Sequence, residues 1–220
     1  MKLDLHIHSS YSRDASASPK EILGFARKIG LDGVAITDHN EVQGSVEAHT
    51  LAREMGIILI KGVEVSAQEG HVLAYGVAEL IPKDLPVRET IERIRSAGGI
   101  AVAAHPKRFP SGMGLDTARS GKFDAIEVLN GGSSARSNSL AEKVAEEISS
   151  PITAGSDAHE LDQVGKSYTV IEGASTEEDV LAGISKGLSR VGGRSRTHKE
   201  GLVYSIETLI EWLRGDLRRL

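Results

Sequence analysis

Short apolar runs rich in Val, Ile and Leu alternate along the chain with segments whose apolar residues recur every three or four positions, and this alternation sets the expected order of elements. Lys2–Ile7 reads as a strand. Ser18-Pro19 supplies a helix N-cap and first turn, Ile22, Leu23, Phe25, Ala26 and Ile29 its apolar face, and Gly30 its stop. A strand at Gly33–Thr37, a helix at Val42–Met55 closed by Gly56, and a strand at Ile57–Val65 follow. The next apolar run, His71–Gly76, begins after a linker of only about five residues. A parallel crossover needs roughly a dozen or more. These two strands are therefore expected to form an antiparallel hairpin that brings His71 beside Glu64.

Beyond the hairpin the rhythm resumes. Val87–Ser96, Ser139–Ile148 and Glu177–Lys186 read as helices, and Ile100–Ala104, Ala125–Leu129, Ile152–Ala154 and Tyr168–Ile171 as strands. The order predicts an α/β barrel or layered sheet. Val203–Leu220 places Ile206, Leu209, Ile210, Leu213 and Leu217 at helical spacing, which predicts a terminal helix packed on the rest. No repeat, low-complexity tract or linker interrupts the 220 residues, so residues 1–220 are expected to form one domain.

Composition narrows the chemistry. There are no cysteines, which removes disulfides, thiolate zinc sites and cysteine nucleophiles. The opening MKLDLHIHSS has no long apolar stretch of the signal-peptide kind, and no run approaches a membrane span. A cytoplasmic location is expected, with no membrane partner. The net charge of -5 gives no overall attraction for nucleic acid, although a local cationic site still would.

The histidines carry the strongest signal. His6 and His8 end the first strand, where alternate residues share a face and two imidazoles reach one ion. Asp38-His39 ends the second strand, Glu64 the third, His105 the fifth and Asp157-Ala158-His159 the seventh, with Asp14 in the loop after His8. Six of the eight histidines fall at strand ends or in the hairpin, where a barrel gathers catalytic groups. Taken singly, Asp38-His39 reads as a turn and cap, Glu64 as a lysine partner and His105 as a core histidine. The combination points instead to a metal centre. Imidazole with carboxylate suits zinc, manganese or iron better than calcium. Three carboxylates do not neutralise several divalent ions, so the centre would stay positive and attract phosphate.

Five ordered segments, DLHIHSSYSRDA at Asp4–Ala15, AITDHN at Ala35–Asn40, GVEVSAQEGHVLAYG at Gly62–Gly76, AHP at Ala104–Pro106 and GSDAH at Gly155–His159, resemble the motifs of the PHP (polymerase and histidinol phosphatase) family. The resemblance implies a distorted (β/α)7 barrel with its site at the C-terminal strand ends. It also implies two or three divalent ions. His6, His8, Glu64 and Asp157 would hold the first, Glu64, His71 and His105 the second, and Asp14, His39 and His159 the third. Glu64, Asp157 and His159 would then be catalytic, and a hydroxide activated by ions sharing Glu64 would hydrolyse a phosphomonoester or phosphodiester. His159 is one candidate for protonating the leaving group.

Lys107, Arg108, Arg136 and Asn130 follow strand ends and are candidates to bind substrate phosphate, while Ser10, Tyr11 and Ser12 could line the mouth. His49 is expected on a helix surface, His198 in a basic loop, and Gly192-Gly193 in a turn. The gaps from His71 to His105 and from His105 to Asp157, about 33 and 51 residues, leave no room for a large cap. An open site admits a phosphorylated small molecule, a nucleotide or a short nucleic-acid end. A metal-dependent amidohydrolase-like enzyme and a non-catalytic metal-binding regulatory module are the alternatives. Every motif position holds a competent ligand, which disfavours the second of these.

Overall fold

Residues 1–203 are described by the computed structural model; the expected terminal helix lies outside them from residue 204 onward. The strands β1 (Lys2–Ile7), β2 (Gly33–Ile36), β3 (Ile58–Ser66), β4 (His71–Tyr75), β5 (Ile100–Ala103), β6 (Ala125–Asn130), β7 (Ile152–Gly155), β8 (Ser167–Ile171) and β9 (Ser189–Gly193) form one sheet in the order β7-β6-β5-β4-β3-β2-β1-β8-β9. The helices are α1 (Pro19–Lys28), α2 (Gln43–Met55), α3 (Val87–Ser96), α4 (Leu115–Ser120), α5 (Ala135–Glu147) and α6 (Glu177–Ser185). The sheet curls until β7 meets β1, where His8 N–H donates to Ala158 O and Asp157 N–H to His6 O. This is the distorted barrel that the sequence predicts.

The distortion has a local cause. β1, β2 and β3 run parallel, as do β5, β6 and β7, but β4 is antiparallel to both β3 and β5. The tight link after Ser66 leaves no length for a crossover helix, so β4 turns back and starts where β3 ends. A bulge in β1 between Asp4 and Ile7 then redirects the first motif. Leu3 and Leu5 pack with Tyr75, whereas Ile7 packs with the apolar faces of α1 and α2. His6 and His8 are thereby aimed into the barrel mouth.

Two core layers lie between sheet and helices, and a third fills the barrel base. There Val180 and Ile184 of α6 pack with Leu3, Ile60, Tyr75 and Ala125, so α6 closes the end opposite the histidines. The Tyr75 hydroxyl, fully buried, donates to Leu5 O at 2.8 Å. Ser18 and Glu21 form a reciprocal capping box at the start of α1, as its Ser-Pro signal anticipates. No helix among the described residues is long and apolar enough to cross a membrane.

Several elements depart from the sequence reading, which anticipates neither helix α4 nor strand β9. Gly192 and Gly193 lie in strand β9 rather than a turn, because Gly192 faces the Tyr168 ring so closely that any Cβ would strike it. Helix α5 begins four residues before the expected Ser139, where the Ser134 hydroxyl accepts from Ser137 N–H as its N-cap.

Candidate metal centre

The nine residues expected as ligands converge at the barrel mouth. Glu64, fully buried at the end of β3, is the hub. Its Oε2 lies 3.4 Å from both His6 Nε2 and His8 Nε2. Asp157 Oδ1 completes that group, 3.6 Å from His6 Nε2 and 3.3 Å from His8 Nε2. The other oxygen, Oε1, lies 2.9 Å from both His71 Nδ1 and His105 Nε2. Across the mouth, Asp14 Oδ2 stands 3.1 Å from His159 Nε2 and 3.6 Å from His39 Nε2. His39 Nδ1 is also 3.1 Å from Glu64 Oε2, so His39 borders two of these groups.

Backbone geometry helps to aim these side chains. His105 and Asp157 both adopt positive φ, 26° and 54°, a left-handed conformation that side-chain-bearing residues rarely take. Such strain persists where neighbours over-determine it. Here Glu127 Oε2 accepts from His105 N–H at 2.8 Å and His6 O from Asp157 N–H at 2.8 Å. Gly155 permits the β7 approach, since a Cβ there would collide with the His6 backbone.

The donor set fits divalent cations. His6 Nε2, His8 Nε2, Asp14 Oδ1 and His105 Nδ1 are buried without a hydrogen-bond partner. Orphaned buried polar atoms are rare and costly, by about 1–3 kcal/mol each. Several converge, and four ligand triads, such as His6-His8-Asp157 and His6-Glu64-His105, have their ligand atoms within 4.8 Å of one another. Imidazole nitrogen and carboxylate oxygen together suit zinc, manganese or iron.

Charge in the centre is set by competing effects. Burial opposes ionisation of Glu64, but His71, His6 and His39 hold its carboxyl well below the usual range. Burial pushes His8 and His159 down, and His105 down to about 4, which favours neutral imidazoles. His6 is the exception: burial works against its protonation, yet Glu127 and Glu64 raise it to about 10.

The other candidates divide. Arg108 lines the cleft above the centre and its guanidinium pairs with Asp157 Oδ2. Asn130 is buried and donates from Nδ2 to Asp157 Oδ2 at 3.2 Å and Glu127 Oε2 at 3.0 Å. Lys107 and Arg136 are exposed and do not line the cleft, Arg136 because the early start of α5 carries it into that helix. Tyr11 lines the mouth, Ser12 is buried beneath it, and Ser10 is exposed outside it. His49 on α2 and His198 are both exposed, but residues 198–203 are helical, so His198 starts a helical turn rather than lying in the expected loop. Sequence reasoning passed over Glu127, buried in the middle of β6 with a hydrogen bond to His6. A single Glu in AIEVLN carries no signal that it faces a histidine 121 positions away. Also missed are Arg13, Lys83, Lys166, Arg196 and Lys199, which place cationic side chains around a cleft of about 1510 Å³.

Fold and site together define a barrel built around a histidine- and carboxylate-rich centre. Residues 4–97 match the PHP domain and residues 135–188 the PHP-associated domain. The chain is 42% identical over 116 residues to an uncharacterized protein of Methanocaldococcus jannaschii, covering 48% of this chain and 68% of that one. It is 33% identical over 105 residues to a 5'-3' exoribonuclease of Haemophilus influenzae, covering 46% of this chain but only 38% of the enzyme. The fold is shared with a two-domain Bacteroides vulgatus protein containing a predicted PHP-like metal-dependent phosphoesterase, at TM-score 0.70 and 21% identity over 88% of this chain and 65% of that one. The chain belongs to the PHP domain family.

Proposed function

We propose that this protein is a metal-dependent phosphoric ester hydrolase that cleaves a phosphomonoester or phosphodiester on a nucleotide or a short nucleic-acid end. The observation that carries the reading is the pair of buried, unpartnered ligand atoms His6 Nε2 and His8 Nε2, gathered beside Glu64 and Asp157 at the floor of a cleft lined by both cationic and acidic side chains. His6, His8, Glu64 and Asp157 would hold one ion, Glu64, His71 and His105 a second, and Asp14, His39 and His159 a third. Bound divalent ions of the zinc, manganese or iron kind would supply Lewis acidity, lowering the pKa of water and neutralising phosphate oxygens.

The chain's own groups do the rest. Glu64, with one oxygen toward each of two ligand groups, fixes their separation. Arg108 would supply a charged donor beside Asp157, where a phosphate oxygen would sit, while Asn130, with both Nδ2 protons given to Glu127 and Asp157, holds Asp157 in place from below. His159 Nδ1 lies 3.0 Å from Asp157 O and Nε2 faces Asp14, so the ring is held with Nε2 toward the third ligand group. Small-ligand pockets span about 300–1,000 Å³, so a cleft of about 1510 Å³ has room for a nucleoside or a few nucleotides beyond the reacting phosphate. The exoribonuclease name of the Haemophilus influenzae relative agrees with that substrate class.

The test is turnover by metal-loaded protein of phosphomonoesters, nucleotides, short oligonucleotides and an amide-ester panel, with His8→Ala as control. Metal-dependent release of phosphate or nucleotide, lost in the control, is the expected result. Turnover confined to the amides and carboxylic esters would replace it with the amidohydrolase-like reading.

A further inference from the structure

We propose that Glu127 and Ser12 are positioning residues that clamp the His6 and His8 rings from behind, so that both present Nε2 to the same divalent ion. The proposal rests on the metal-dependent reading above and adds the groups that orient its ligands.

The argument is one of donor and acceptor capacity. Glu127 is buried in β6, and a buried carboxylate is tolerated only when it is well hydrogen-bonded. Its Oε1 meets His6 Nδ1 at 3.0 Å, and its Oε2 accepts from His105 N–H at 2.8 Å and Asn130 Nδ2 at 3.0 Å. A carboxylate only accepts, so His6 must carry its proton on Nδ1. One side chain thus fixes the His6 ring and the left-handed backbone of His105, ligands of two neighbouring groups.

His8 reaches the same tautomer through a different partner. The Ser12 hydroxyl donates to Asp38 Oδ1 at 3.1 Å and accepts from His39 N–H at 3.0 Å. Asp38 also accepts from Ser9 N–H at 2.6 Å and Ser9 Oγ at 2.8 Å, so it is occupied as an acceptor. A hydroxyl has one proton, and Ser12 has used it. His8 Nδ1, 3.2 Å from Ser12 Oγ, must therefore be the donor. The atoms these partners leave over, His6 Nε2 and His8 Nε2, are both buried and unpartnered. Outer partners of this kind typically carry about 10- to 100-fold in metal affinity.

The test uses the full chain loaded with zinc. Long-range proton–nitrogen NMR is expected to show Nδ1–H and a coordinated Nε2 on both His6 and His8. By titration calorimetry, Glu127→Gln should weaken zinc binding about 10- to 100-fold and Ser12→Ala about tenfold, with Ser12→Thr restoring it. The Thr rescue and the nitrogen shifts would not follow from a merely structural role. Coordination through Nδ1 in the wild type, or wild-type affinity in both Glu127→Gln and Ser12→Ala, overturns the proposal. Should Glu127→Gln fail to fold, the wild-type spectrum and the Ser12 pair decide alone. Absence of zinc binding by the wild type is a different result: it sinks the metal-dependent reading, and this proposal with it.

Discussion

Glu64 and His71 stand diagonally across the β3–β4 hairpin, with Oε1 and Nδ1 2.9 Å apart on one face. Ser66 pairs with His71 and Glu64 with Leu73, so the start of β4 meets the end of β3 at the barrel mouth. A strand reversed in this way delivers its first residue, rather than its last, to the site. The contact matters because Glu64 also approaches His6, His8, His39 and His105.

Glu64→Ala is accordingly expected to remove at least one ion per chain, read by metal analysis of dialysed protein. Metal ions contribute several kcal/mol to hydrolytic transition states, so turnover should fall by about a thousandfold or more. Full metal content in the variant would mean that Glu64 is not the hub of the centre.

Asp14 offers a sharper test of stoichiometry. Its carboxylate faces His159 and His39 and stands apart from the Glu64 oxygens in the other two groups. Asp14→Ala should lower the number of bound ions by one while leaving the rest in place, measured by native mass spectrometry. An unchanged count would show that Asp14 orders its loop and holds no ion.

The geometry of β7 predicts a third effect. A methyl group at residue 155 would press on His6 N and Cα, both in the backbone of the closing strand. Gly155→Ala should cost about 1–3 kcal/mol, as overpacking does, and should also weaken metal binding by moving His6. Chemical denaturation and metal titration check the two parts separately. A loss of stability without loss of affinity would uncouple barrel closure from the site.

How much of this was legible in the chain follows from the range of each interaction. The hairpin was legible because a five-residue link is a local constraint, and the register of β3 with β4 agrees with it. The strand-end histidines were legible because His6 and His8 obey a period of two that the sequence displays. Glu127 was not, since nothing near it distinguishes a histidine-facing carboxylate from a solvent-facing one in a half-buried strand. The rim cations Arg196 and Lys199 were also hidden, because only the pairing of β9 with β8 brings the chain after Gly193 back over the mouth. Strand β9 itself contains two glycines, which read as a turn when the Tyr168 ring against Gly192 and the Lys166–Ser167 backbone against Gly193 are not in view.

Arginine placement offers a test of the proposed phosphate contact. Arg108 lines the cleft beside Asp157, whereas Arg136 lies exposed in the first turn of α5 outside it. Arg108→Ala should lower kcat/KM by about tenfold or more, as loss of a charge-assisted phosphate contact of about 1.5–3 kcal/mol implies. Arg136→Ala should leave it unchanged. Equal effects from the two would remove Arg108 from the phosphate-binding role.

Glu200 ties the segment after β9 to the rim, and its pH dependence can be predicted with sign. It pairs with Arg194 through two contacts of 2.8 Å and with Lys166 at 3.1 Å, and it accepts from Thr197 N–H at 2.8 Å. Arg194 first, then the Thr197 amide, holds its carboxyl below the usual range, against a small opposing effect of burial. The folded-state pKa thus lies below the unfolded value of about 4.3. The stabilisation is fully present above that value and is lost as pH falls below it. With the side chain a third exposed, solvent screening limits the effect to about 1 kcal/mol. Glu200→Gln should therefore destabilise the protein at pH 7, with the gap from wild type closing as the pH drops below about 4. Denaturation midpoints at pH 7 and pH 3.5 measure it, and a gap that widens in acid would show that Arg194 and Lys166 do not stabilise the Glu200 carboxylate.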